Sequence, residues 1–181
     1  MQRIVPLILL TSILAAPVCA QDAPHQYQAD KPVTITAAPG AEKSAQSDPL
    51  TQVSKIALTL KFTCAQTGCT DSSLQFLVAG DDDAAATISF AADADALHGA
   101  LKSDGQTQAF VQAPKPGETF DLRIYWTNSG HVTADLYRKD PETGRETMES
   151  RDVRLKGDIR SLTTRVSAGE LTIVRQAYTF R

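Results

Sequence analysis

Phe120-Asp121-Leu122-Arg123-Ile124-Tyr125-Trp126 is the stretch whose reading decides the fold. Phe120, Leu122, Ile124 and Trp126 recur at every second position, with Asp121, Arg123 and Tyr125 between them. Successive side chains of a β-strand point to opposite faces, so the run predicts a strand with one face in a core and the other in water. Val132, Ala134 and Leu136 repeat the pattern against Thr133, Asp135 and Tyr137. Between the two runs, Asn128-Ser129-Gly130 has turn chemistry, and the pair is a predicted hairpin.

Period-two patches of the same kind lie on both sides. They run over Ile56 to Phe62, Leu74 to Val78, Ala86 to Phe90, Thr107 to Val111, Val153 to Lys156, Leu162 to Val166 and Leu171 to Phe180. Turn residues separate them at Gly80 to Asp83, Ser103-Asp104-Gly105, Pro114 to Gly117, Asp140 to Gly144, Gly157-Asp158 and Ser167-Ala168-Gly169. Strands at this spacing predict an all-β protein, an antiparallel β-sandwich with a jelly-roll-like arrangement and little helix. Only the Ala-rich stretch Ala91 to Leu101 leaves room for a helical turn.

The first twenty residues read differently. Arg3 begins a positive n-region, Ile4 to Ala16 is mostly apolar, and Val18-Cys19-Ala20 suits a signal peptidase. A cleaved secretory signal over 1–20 is expected, with cleavage before Gln21. A membrane span needs about 20 uninterrupted apolar residues, and this stretch stops short of that at Gln21-Asp22. The rival is lipidation of Cys19, but Ala16-Pro17-Val18-Cys19 puts a branched residue where a lipoprotein signal has a small one. Residues 21–51, rich in Ala, Pro, Gln, Ser and Asp, read as a flexible segment with one short strand at Val33 to Ile35, and 52–181 as the sandwich domain. A periplasmic or secreted location follows, with no membrane span once the signal is removed.

Removal of the signal leaves Cys64 and Cys69 as the remaining cysteines. An even pair in an oxidising compartment predicts a disulfide, closing the loop Ala65-Gln66-Thr67-Gly68, where Gly68 relieves backbone strain. A catalytic redox pair wants two intervening residues, and these have four. A zinc site needs further ligands, whereas His25, His98 and His131 are scattered singly.

Without Arg3 the chain carries 17 bases against 21 acids, which excludes a basic nucleic-acid-binding face as the default reading. Every arginine after the signal lies between Arg123 and Arg181. Arg151, Arg154, Arg160 and Arg165 would hold a phosphate or carboxylate if the fold gathered them, while intramolecular pairing with the acidic half is the plainer expectation.

The run 120–126, Gly130, Val132-Thr-Ala-Asp-Leu136 and Gly169-Glu-Leu-Thr-Ile173 together resemble strands of the concanavalin A-like and laminin-G-like jelly rolls. The resemblance covers about Phe120 to Phe180 and implies a carbohydrate-facing role, since those families include lectins, glycan-binding modules and some glycoside hydrolases. The hydrolases of that group carry paired acids as Glu-x-Asp-x-x-Glu along one strand, and no such string occurs here. A lectin's calcium and sugar loops find no residue-by-residue match.

Tyr125 and Tyr137 share the polar parity of adjacent strands with Arg123, and flat aromatic faces on a sheet are what sugar recognition uses. Asp121 and Asp135 share that parity too, as cross-strand neighbours or as a solvent-facing charge cluster. Asp81, Asp82 and Asp83, following Gly80, could offer oxygen ligands to Ca2+, with Asp93 or Asp95 as distant partners. No Gly-x-Ser-x-Gly elbow is present, so no catalytic residue is assigned. The expected function is non-catalytic binding, of a glycan first and an envelope protein second. The other classes are an extracellular polysaccharide-acting hydrolase and a structural envelope component without a small-molecule ligand.

Overall fold

In the computed structural model the run 120–126 is the centre of β8 (Thr119–Thr127), paired on both sides. The structure describes residues 26–47, 49–50, 52–80, 85–112, 114–127, 130–140, 143–155 and 159–180. The signal, Cys19, Asp81 to Asp83 and Asn128-Ser129 lie outside them. The other strands are β1 (Gln26–Ala29), β2 (Val33–Gln46), β3 (Val53–Cys64), β4 (Ser73–Ala79), β5 (Ala85–Ala92), β6 (Leu97–Ser103), β7 (Gln106–Ala109), β9 (His131–Lys139), β10 (Glu146–Arg154) and β11 (Ser161–Phe180). All pairings are antiparallel, and no helix occurs among the described residues.

The strand order is β10-β9-β8-β3-β11-β4-β5-β6-β7, with β1 and β2 also paired to β11. β11 belongs to both layers of the sandwich. Its residues Ser161 to Ser167 pair with β4, and Gly169 to Phe180 pair with β3. The strand turns from one layer into the other at Ala168, which takes a left-handed φ of 44° at a register shift. Sequence reading makes Ser167-Ala168-Gly169 a chain reversal between two strands, but here it is a bulge inside one. Bulges of this kind bend a strand without ending it.

The core forms where the two layers face each other. Ile56, Leu58, Leu60 and Phe62 of β3, with Phe120, Leu122, Ile124 and Trp126 of β8, bury their side chains against Phe76, Ile88 and Phe90 of the other layer. Each such side chain contributes about 1.5–3 kcal/mol when fully buried.

The disulfide forms as expected between Cys64 and Cys69, whose Cα atoms lie 5.1 Å apart. Gly68 (φ 83°) and Cys69 (φ 57°) are both left-handed, as so tight a loop requires. This connection also grips the bend, because the Ala168 carbonyl oxygen accepts the Ala65 amide at 2.9 Å and the buried Ser72 hydroxyl at 2.6 Å. Replacing both cysteines by serine is expected to cost about 2 kcal/mol of stability, the entropy released to so short a loop. Denaturant titration of the double variant beside the parent checks this.

At the opposite side of the sandwich, β10 meets β7. The expected strand Val153 to Lys156 is instead Glu146–Arg154, and its inward positions include Glu149 and Arg151. These charges are held, not exposed. Glu149 accepts the Val111 amide at 2.8 Å, the Gln112 amide and the Arg151 guanidinium, and Arg151 Nε donates to the Ala109 carbonyl at 2.7 Å. The Arg151 guanidinium also lies 5.6 Å from the Phe110 ring centroid. Arg151 is thus committed to an intramolecular clasp and is not offered to an anion. Glu149→Ala is expected to lose about 2 kcal/mol, since it removes charge-assisted hydrogen bonds and orphans their donors. Hydrogen exchange at the Val111 and Gln112 amides should quicken well beyond the rest of the sheet.

Two further segments depart from the sequence reading. Residues 33–46, read as linker with a short strand, form the fourteen-residue β2, held by backbone bonds to β11 with nearly every side chain exposed. A strand exposed on both faces leaves no apolar alternation to find. The Ala91 to Leu101 stretch, read as room for a helical turn, contains the end of β5 and most of β6. Leu97, Gly99 and Leu101 there face the core in strand alternation.

Candidate functional site

The polar face of β8 and β9 assembles from register alone. Asp121 pairs with Tyr137, Arg123 with Asp135, and Tyr125 with Thr133. On the other side Lys55 pairs with Tyr125 and Thr59 with Asp121. Residues on one face of neighbouring strands touch directly or diagonally, which brings charge onto both rings. The Arg123 guanidinium carbon sits 3.9 Å from the Tyr137 ring centroid, and Lys55 Nζ lies 5.1 Å from that of Tyr125. Both tyrosines are half-buried. Asp121 and Asp135 are not directly opposed, because the register sets Tyr137 and Arg123 against them.

The two tyrosines start far apart along the strands, yet their side chains lean together closely enough to hydrogen-bond, with Arg123 between them. Tyr125 is opposite Thr133 and Tyr137 opposite Asp121, an offset of four residues that amounts to about 13 Å along a strand. Tyr137 is the one beside an open cleft of about 270 Å³, lined also by Thr119, Phe120, Asp121, Arg123, Arg138, Lys139 and Glu146. Asp121 Oδ1 accepts the Thr59 hydroxyl at 2.7 Å, and Arg138 Nε donates to Glu118 Oε1 at 2.9 Å. These bonds fix the walls before any ligand arrives.

Burial raises the Tyr137 pKa above the ordinary tyrosine value, against the opposing pull of Arg123. Its phenol therefore stays protonated and able to donate. Burial alone would lower the Arg123 pKa, but the Tyr125 side chain and nearby Tyr137 and Asp121 raise it. The cleft thus presents a cation stacked on one face of the Tyr137 ring, a phenol donor, two carboxylates and an ammonium, groups suited to hydroxyl-rich ligands.

Thr119 and Lys139 extend the parity of Asp121 and Tyr137 and were within reach of sequence reasoning. Glu146 was not, because it arrives by pairing with Lys139 across the β9–β10 hairpin. Trp126 is buried in the core, as its parity requires. Among the described residues no group of three His, Cys, Asp or Glu side chains could hold a metal ion. Asp93 instead accepts the Asp95 and Ala96 amides and pairs with His98 at 2.6 Å, and that contact lowers its pKa. No helix among the described residues is long and apolar enough to cross a membrane.

The two bent layers and their shared strand define a concanavalin A-like jelly-roll sandwich. Solved structures of that class superpose on the chain: lectin II from Ulex europaeus at a TM-score of 0.52 and 12% identity, over 86% of this chain and 97% of that one. A lectin from Bauhinia forficata, in complex with GalNAc, matches at 0.50 and 8% identity, over 87% and 98%. Scytalido-glutamic peptidase, with a peptide-based transition-state analogue, matches at 0.50 and 11% identity over 70% of this chain. The chain spans 63% of that peptidase's length. At such identities the likeness is one of fold alone. No family model matches the chain, and neither does any curated protein sequence.

Proposed function

We propose that the protein is a non-catalytic binding domain of the cell exterior or periplasm that holds a glycan in the Tyr137 cleft. The observation that carries this reading is the Tyr137 ring, pinned by Arg123 at 3.9 Å and bordering a cleft walled by Asp121, Lys139 and Glu146. A sugar offers an apolar C–H face to an aromatic ring and hydroxyls to flanking polar groups. With Arg123 over one face of Tyr137, the sugar is assigned the other face, and its hydroxyls are assigned to Asp121, Lys139 and Glu146. The lectin-like fold supports the reading, and the Cys64–Cys69 disulfide supports an oxidising compartment.

The test is a glycan panel that includes galactose and N-acetylgalactosamine, read by direct binding and by release of product. Tyr137→Ala is expected to weaken the best ligand by about tenfold, the order of one aromatic contact. Tyr125→Ala should act less, because its ring does not line the cleft and reaches it only through side-chain hydrogen bonds to Tyr137 and Arg123. Titration with calcium and with EDTA tests the ligands expected at Asp81, Asp82 and Asp83. Absence of glycan binding, binding indifferent to Tyr137→Ala, or turnover of a bound polysaccharide would overturn the proposal. Turnover would place the protein with the hydrolases instead.

A further inference from the structure

A second concavity lies at the edge where β1 and β2 join β11, away from the Tyr137 cleft. Two clefts there, of about 360 and 270 Å³, share Ser47, Gln176 and Tyr178 and so form one groove. Its walls are aromatic and aliphatic. Tyr27 and Tyr178 stand with ring centroids 6.2 Å apart, and Leu50 and Ile173 lie beneath. Tyr27 (56%) and Val33 (43%), two of the most exposed large apolar side chains among the described residues, line it. Exposed apolar surface gathered on a concave site marks a place where something binds.

Charge narrows the occupant. Although 22% of the chain is charged, no Asp, Glu, Lys or Arg among the described residues lines either cleft. Among the described residues a charged ligand would find no ion-pair partner there, and taking an unpaired charge out of water is costly. The polar features are Ser47 and Gln176, the latter accepting the Tyr178 hydroxyl at 3.4 Å. A few hundred Å³ is the scale of a small-molecule pocket. We propose that this groove is a second binding site, for an uncharged amphipathic small molecule whose apolar body lies against Tyr27 and Tyr178 and whose polar end meets Gln176 and Ser47.

The probe is N-phenyl-1-naphthylamine, uncharged and fluorescent in apolar surroundings, titrated into the full chain and its variants. Saturable binding is expected in the parent. Gln176→Glu, which introduces a charge, should weaken it by about tenfold, and Tyr27→Ala by about fivefold. Gln176→Met, similar in size and uncharged, loses the polar contact without adding a charge and should weaken binding by about threefold at most, which separates charge from mere disturbance of the strand. Tyr137→Ala should leave the probe untouched, so this site and the glycan cleft stand or fall separately. Binding unchanged in both Gln176→Glu and Tyr27→Ala would put the probe elsewhere, for instance on the apolar run Ile4 to Ala16, and overturn the proposal. Equal losses in Gln176→Met and Gln176→Glu, no saturable binding, or a dimer that buries the groove would do the same.

Discussion

Phe90→Ala is expected to lower the unfolding free energy by about 4 kcal/mol, the upper range for emptying an aromatic site in a packed core. Phe90, in β5, is fully buried. Its ring lies 5.5 Å from that of Phe120 in the opposite layer and 6.3 Å from that of Phe110. It therefore joins the two sheets rather than filling one of them. The seat for the ring is Gly99, its cross-strand partner in β6. A Cβ at Gly99 would lie 2.7 Å from Phe90 Cε1 and 3.0 Å from Phe110 Cδ2. Gly99→Ala alone should thus cost about 2 kcal/mol through overpacking. In the double variant the new methyl group occupies space the ring has left, so the losses should fall short of their sum. Urea titration of the four proteins measures this coupling, and strictly additive losses would show that ring and glycine do not share the space.

Gly169→Ala should rank second, at about 3 kcal/mol, because the obstacle there is backbone as well as ring. A Cβ would meet Phe62 Cζ at 2.6 Å and the Thr63 carbonyl oxygen at 2.8 Å. Gly169 is the first residue of β11 beyond the bend and pairs with Cys64, so neither strand can yield without opening the ladder. For a domain of this size such a loss lowers Tm by about 8 °C. A Tm within about 2 °C of the parent would mean that the bend is looser than its close contacts imply.

The parts of this fold that could be read from sequence are those with one face in water. In β8 and β9, Phe120 to Trp126 and Val132 to Leu136 advertise themselves by alternation, and Ile56 to Phe62 does so in β3. The hidden parts are hidden for physical reasons. β2 exposes nearly all its side chains and exists by backbone hydrogen bonds. β10 turns Thr147, Glu149 and Arg151 inward, where polar contacts replace apolar burial, so its pattern carries no hydrophobic signal. In β11, Ser167-Ala168-Gly169 has the chemistry of a turn and does take a left-handed residue, but β2 hydrogen-bonds to β11 on both sides of it, which no local rule foresees.

The candidate site divides in the same way. The gathering of Arg123, Tyr125 and Tyr137 follows from parity in two adjacent strands. The cleft beside Tyr137 needs Glu146 from β10, and the groove at Tyr178 needs β1, β2 and the end of β11 together. Such contacts join residues far apart in sequence, so their geometry appears with the fold and not before it.

The most direct test of the glycan reading is a heteronuclear NMR titration of the protein with the best ligand from the panel. Saturable shift changes are expected at Asp121, Arg123, Tyr137 and Lys139, with the resonances of Tyr27 and Gln176 unmoved. Changes centred on the groove at Tyr27 and Gln176, or no saturable change on the β8–β9 face, would contradict it.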